Sequence, residues 1–326
     1  MLEHGGRLAR AAAAHGLPRE RWLDLSTGIS PHAYPVPSVP ASAWHRLPED
    51  DDGLPDVARA YYGAEHLLAV AGSQAAIAAL PRLRARARVG VIAPGYAEHA
   101  HAWRAQGHDV ATGGADELVA SADAFDVIVL IHPNNPGGDR FTRDTLLSLH
   151  GRLAARGGWL VVDEAFIDTR PHESLCADAR EGLIVLRSVG KFFGLAGARA
   201  GFIVAWPALL ETLRETLGPW TLGGPSRHVL KAALADRAWQ RDAVARLHRD
   251  GTRLADLLTA QGLMPSGGCE FFQYCRHDDA ARLHHALATR GILTRYFDDP
   301  PALRFGLPGD DAGFQRLASA LAEIRR

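Results

Sequence analysis

The chain has 326 residues, 47% of them hydrophobic and 22% charged, and a net charge of −1. This is the balance of a globular protein of about two domains, and without a dominant basic run it argues against a nucleic-acid surface. No stretch approaches the roughly 18 apolar residues of a membrane span, and the start, "MLEHGGRLARAAAAHG", has no secretory-signal layout.

A cytoplasmic protein is therefore expected. Cys176, Cys269 and Cys275 cannot all pair and no CxxC occurs, which fits a reducing compartment. The histidines form no HExxH or comparable ligand set, so no metal site is expected. His99 and His101, like His284 and His285, share no helix face well and read as ordinary polar placements.

In chain order, residues 1–45 are rich in Pro and Gly and read as an N-terminal arm that is partly joined to a small domain. The arginines at 82, 84, 86 and 88 alternate with apolar residues and are expected at the solvated end of a helix. Within 46–206, short apolar runs alternate with helix-length periodic segments. "LLAV" (67–70), "VGVIA" (89–93), "VIVLI" (127–131), "WLVVD" (159–163), "LIVL" (183–186) and "GFIVA" (201–205) read as strands buried on both faces. Segments such as "RDTLLSLHGRLAARGG" between them read as helices closed by C-cap glycines. The alternation predicts an α/β large domain, a mostly parallel sheet flanked by helices. Residues 207–326 change texture: helices to about 262, then strands at "CEFFQYC", "GILTRYF" and "ALRFGLP" predict a smaller α+β domain.

In an open parallel sheet ligands gather at the carboxyl ends of the strands, and polar residues recur there. Gly72, Ser73 and Gln74 follow "LLAV" and lead into a helix, a place where free N–H groups favour an anion. "HPNNPGG" (132–138) follows "VIVLI" as a rigid polar loop. Asp163 and Glu164 end "WLVVD", where a carboxylate needs a compensating cation or donor. "RSVGKFFGLAGAR" (187–199) then sets Lys191 among small apolar residues, between Ser188 and Arg199. Such surroundings favour the neutral, nucleophilic amine. It is not a phosphate-binding P-loop, because Val185 and Phe192 stand where Gly and Ser or Thr are required. A lysine nucleophile beside an anion site, with a buried aspartate on the neighbouring segment, suits pyridoxal 5′-phosphate.

Taken in order, Gly72-Ser73-Gln74, "NNPGG", "DEAF", "SVGK" and Arg199 resemble the fold-type I aminotransferases of class I/II, and the resemblance covers essentially the whole chain. Within that family, "HGG", "LDLSTGISP", "LPEDDDGL", "DEAFID", "KFFGLAGARAGF" and "LRFGLPG" are similar to the threonine-phosphate decarboxylases of cobalamin biosynthesis. Histidinol-phosphate aminotransferases are that group's nearest relatives.

The resemblance implies a pyridoxal-phosphate enzyme with Lys191 carrying the cofactor and Asp163 partnering its ring nitrogen. Asn135 would bond the 3′-oxygen and face the substrate. Tyr96 would stack on the ring, and Ser73, Gln74, Ser188 and Arg199 would hold the phosphate, helped by backbone N–H groups of 72–74. Arg304 would take the substrate carboxylate; Arg295, with Ser26, Thr27, Gly28 and His4, would take the substrate phosphate. A small phosphorylated amino acid, decarboxylated, is the expected substrate; transamination of a phosphorylated amine such as histidinol phosphate is the alternative. Relatives also imply a homodimer with active sites at the interface. Three residues depart from the family pattern: Phe166 where many relatives have Tyr, Gly190 where Ser or Thr usually precedes the lysine, and Leu47 where aminotransferases carry an "RYP" tyrosine.

Overall fold

The structure is a computed structural model that describes residues 4–325. It divides into two compact units: residues 33–135 with 139–241, and residues 4–32 with 136–138 and 242–325.

The larger unit is built on seven strands: β1 (Leu67–Val70), β2 (Arg88–Ile92), β3 (Asp109–Gly113), β4 (Val127–Ile131), β5 (Trp159–Asp163), β6 (Leu183–Ser188) and β7 (Gly201–Val204). Their order is β1-β7-β6-β5-β4-β2-β3. The pairs β2–β3, β2–β4, β4–β5 and β5–β6 are parallel, while β7 runs antiparallel to both β1 and β6. The expected mostly parallel sheet is present. β4 and β5 are buried at every residue, because helices such as Leu54–Tyr62, Ser73–Ala79 and Arg143–Ala154 cover the faces of the sheet.

β3 has no counterpart among the strands expected from sequence. It is an edge strand, mostly exposed, and its sequence "DVATG" lacks the apolar run of a central strand. The arginine run also differs from expectation. Only Arg82 lies in a helical turn (Leu80–Leu83), and Arg88 opens β2. The alternation there is partly the period of two of a strand, and the Arg84 guanidinium lies 4.9 Å from the centroid of the Trp159 ring.

Antiparallel β7 brings a distant segment to the working edge of the sheet. Its first residue, Gly201, pairs with Val70 at the end of β1 and with Ser188 at the end of β6. The segment entering β7, including Arg199, therefore arrives at the same sheet edge as the carboxyl ends of the parallel strands. A side chain on Gly201 would collide with Arg187 O and Ser73 N, at 2.6 and 2.7 Å.

The smaller unit carries an antiparallel sheet of β8 (Gly267–Cys269), β9 (Phe272–Arg276), β10 (Arg295–Phe297) and β11 (Ala302–Gly306), in the order β10-β11-β9-β8. Most of the long helix Arg237–Ala260 and the helix Asp311–Ile324 belong to it. The N-terminal segment is woven in. Leu23–Asp24 pairs in parallel with Ile292–Leu293, and Gly306 N–H donates to Leu25 O at 2.8 Å. Residues 136–138 pack here glycine on glycine: a Cβ on Gly138 would lie 2.2 Å from Gly268 O. No helix among the described residues is long and apolar enough to cross a membrane.

Candidate active site

The larger unit holds a cavity at the carboxyl edge of its sheet, where ligands of such sheets gather. Strand ends supply its walls one by one. β1 leads to Gly72, Ser73 and Gln74; β4 to Asn135; β5 ends in Asp163; β6 ends in Ser188 and is followed by Lys191. Tyr96 follows β2, and Arg199 precedes β7. All nine residues assigned to the cofactor from sequence therefore line one cavity.

Local geometry explains the residue types. Gly72 has φ +76°, and a Cβ there would sit 2.9 Å from Arg199 Nη2, so only glycine lets the guanidinium approach. Its N–H donates to Val70 O. The amides available for an anion are thus those of Ser73 and Gln74, the first helical residues. Arg199 itself adopts a left-handed backbone, φ 48°, a conformation that non-glycine residues hold only where surrounding structure imposes it. The Gln74 side chain is engaged within the wall: its Oε1 accepts from Tyr96 OH at 3.1 Å and its Nε2 donates to Glu98 Oε2 at 3.3 Å. Burial, with Glu98 and Asp163 nearby, pushes the Tyr96 phenol up to about 12, so it stays a neutral donor.

Asp163 is buried, 3% exposed. Its Oδ1 accepts from Ala165 N–H at 3.0 Å, and its Oδ2 lies 2.9 Å from His99 Nε2. Sequence reasoning missed His99, placing it as an ordinary polar residue; it is instead 1% exposed and holds the carboxylate. No local spacing signals this contact, because His99 and Asp163 lie 64 residues apart.

The "HPNN" loop is anchored by another residue the sequence did not mark. Asn134 is fully buried, and its Nδ2 donates to Pro94 O at 2.9 Å and to Asp139 Oδ2 at 2.7 Å. These bonds hold the neighbouring Asn135 at the cavity.

Both local departures from the family pattern have a place in the packing. Phe166 is buried and lines the cavity, its ring centroid 5.8 Å from Lys191 Nζ. Gly190 faces Ala196 so closely that a Cβ would come within 3.0 Å of that residue's Cα. A serine or threonine would have to push the Ala196–Ala198 turn away.

The smaller unit has its own cavity, to which His4, Ser26 and Arg295 contribute. Arg7, Arg10 and His284 join them, and no acidic side chain lines it among the described residues. Thr27 and Gly28 continue the chain from Ser26 and are not part of this lining. The Ser26 hydroxyl is already used: it donates to Asp24 Oδ1 at 2.6 Å and accepts from Gly6 N–H at 2.8 Å. Ser26 O in turn accepts from Arg304 Nη2 at 2.7 Å. Arg304 lies on β11 directly across from Arg295 on β10. Burial and the neighbouring Arg295 charge hold the Arg304 guanidinium down at about 10. Two like charges thus face each other across neighbouring strands, one of them buried.

Known proteins bear on this arrangement. Residues 56–321 match the family described as aminotransferase class I and II. The chain is 54% identical to a threonine-phosphate decarboxylase of Pseudomonas aeruginosa, covering 98% of this chain and 97% of that protein. It is 41% identical to a threonine-phosphate decarboxylase of Sinorhizobium sp, covering 99% and 98%. Its fold superposes on histidinol-phosphate aminotransferase from Sinorhizobium meliloti, solved in complex with pyridoxal-5′-phosphate, with a TM-score of 0.84 at 20% identity, covering 99% of this chain and 95% of that one. With the family match spanning most of its length, the chain belongs to the aminotransferase class I and II family.

Proposed function

We propose that the protein is a pyridoxal-phosphate-dependent decarboxylase. It removes the α-carboxylate of L-threonine O-3-phosphate, giving CO₂ and (R)-1-amino-2-propanol O-2-phosphate, in cobalamin biosynthesis. The observation that carries this reading is the 54% and 41% identity to threonine-phosphate decarboxylases over nearly the full length of each chain.

The residues of the larger cavity fit the cofactor. A lysine, a buried carboxylate and a glycine cradle beside an arginine share one lining, the donor set that pyridoxal phosphate needs. Lys191 would hold it covalently. Asp163, fixed by His99 and the Ala165 amide, would keep a proton on the ring nitrogen. Ser73, Ser188, Arg199 and the first helical amides would take the phosphate. Tyr96 would pack on the ring, and Asn135 would donate to the 3′-oxygen, without help from Phe166. When bound, pyridoxal phosphate supplies a conjugated electron sink for the pair left behind at Cα.

The chain's own task is then orientation. The residues that grip the substrate would fix which of the bonds at Cα is presented for cleavage, and such positioning is worth several kcal/mol of barrier. Arg304 would take the substrate carboxylate with the fork that only Arg offers. Arg295 and His4, with Thr27 and Gly28, would take the substrate phosphate, and Ser26 would act by holding Arg304 and Gly6. Lys191 Nζ is the group that would return a proton to Cα after CO₂ departs.

We further place the protein in the cytoplasm as a homodimer with active sites at the interface. Val36, Trp44, Leu47 and Trp220, all strongly exposed on the larger unit, support self-association.

The test is an assay of the purified protein loaded with pyridoxal phosphate and given L-threonine O-3-phosphate. CO₂ and the amine phosphate should appear in equal amounts without a 2-oxo acid. Amino transfer to 2-oxoglutarate without CO₂ release would replace this reading with the aminotransferase one.

A further inference from the structure

One buried charged group has no part in the chemistry above. Arg187 is the penultimate residue of β6, one before Ser188 and four before Lys191, and is 3% exposed. Its Nη1 donates to Glu164 Oε2 at 2.9 Å, and its Nη2 donates to Asp168 Oδ1 at 2.7 Å. Glu164 directly follows Asp163, and Asp168 closes the same short turn. Between them lie Ala165 and Phe166, both in the wall of the cofactor cavity. One guanidinium thus grips both ends of a five-residue turn whose middle faces Lys191.

We infer that Arg187 is a positioning residue for the cofactor cavity: its fork fixes the Glu164–Asp168 turn, and with it Asp163 and Phe166, against the β6 segment that carries Ser188 and Lys191.

Neighbouring elements reinforce the fork. From the helix Leu54–Tyr62, Tyr61 OH donates to Asp168 Oδ1 at 2.8 Å, and the Tyr62 ring lies 4.7 Å from the guanidinium carbon. From the loop after the turn, Ser174 Oγ and Leu175 N–H donate to Glu164 at 2.5 and 2.8 Å, and the buried thiol of Cys176 lies beside the same carboxylate. Burial pushes the Glu164 carboxyl up while the guanidinium draws it down. Stability alone does not call for such a cluster, because a well-packed apolar group in place of a buried ion pair is often as stable. What an apolar replacement lacks is direction. A guanidinium with two fixed arms specifies the distance between its two carboxylates; a lysine, as a point charge, does not.

The inference uses the cofactor part of the proposed function and is independent of the reaction catalysed. Three purified proteins are compared with wild type: Arg187→Lys, Glu164→Gln and Leu146→Ala, the last a core truncation in the helix Arg143–Ala154 as a control for simple destabilisation. Pyridoxal-phosphate dissociation constants, the pH midpoint of the visible absorbance of the lysine-bound cofactor, and melting temperatures are measured. Arg187→Lys should bind cofactor roughly tenfold more weakly, the loss typical when an outer partner of a functional group is removed, and its midpoint should move. Glu164→Gln should shift both in the same sense by less, and it decides the question alone if Arg187→Lys does not fold. Leu146→Ala should lower the melting temperature only. Lowered melting with wild-type affinity and midpoint in the Arg187 and Glu164 variants would overturn the inference. Absence of the visible band in wild-type protein would overturn the cofactor reading and this inference together.

Discussion

The two cavities are built on opposite principles. The larger unit's cavity takes its side chains from the ends of neighbouring strands in one sheet, and its charges are mixed: Lys191 and Arg199 share the lining with Asp163. The smaller unit's cavity is one-signed. Arg7, Arg10 and Arg295 gather there with His4 and His284, drawn from the two ends of the chain. The first arrangement suits a cofactor that carries a positive ring nitrogen and a negative phosphate; the second suits a ligand that is simply anionic. With such different electrostatics, the two halves of the chemistry should fail separately.

The largest expected effect separates them most sharply. Lys191→Ala should cut CO₂ release by on the order of a thousandfold or more and abolish the visible cofactor band after dialysis. A variant that keeps the band would remove Lys191 from its role.

Next comes the residue at the start of the "HPNN" loop. His132, fully buried, accepts from Phe141 N–H through Nδ1, and burial lowers it from 6.5 to about 4 against the weaker pull of Glu173. The folded state thus keeps His132 neutral where the unfolded chain binds a proton. Stability from this residue is complete above about pH 6.5 and is lost as pH falls towards 4, by roughly 3 kcal/mol. His132→Asn keeps an acceptor but cannot titrate, so urea unfolding of the variant should show a flatter stability profile between those values. An unchanged slope would mean that other groups set the acid limit.

The smallest effect belongs to Arg304, the cross-strand neighbour of Arg295 in the smaller unit. Arg304→Lys should raise KM for threonine phosphate about tenfold to thirtyfold, or roughly 1.5–2 kcal/mol, and leave the cofactor spectrum intact. A spectral change would couple the two regions; an unaltered KM would take Arg304 out of substrate binding.

Legibility divides along the same line between local and distant contacts. The strands 67–70, 127–131 and 159–163 form with the bounds read from their apolar runs, because burial on both faces leaves a continuous signal. β3 was invisible because an exposed edge strand needs no apolar run. The residues that line the larger cavity were legible because each sits in a short motif at a strand end. Their supports were not: His99, Asn134 and Arg187 act through partners 64, 40 and 23 residues away, distances at which no spacing rule operates. Ser26 was legible as a candidate and only half understood, since its hydroxyl is consumed by Asp24 and Gly6.

The sequence by itself determined the alternation of strands and helices, the order of the motifs and the place of Lys191 among them. These are local properties, written in runs of a few residues. Only the tertiary structure decided that β7 runs antiparallel and so brings Arg199 beside Gly72. The same holds for His99 closing on Asp163 and for one arginine gripping two carboxylates. Those contacts join residues distant in the chain. Their presence depends on which surfaces the sheet buries together, a choice made by packing rather than by any short stretch of residues.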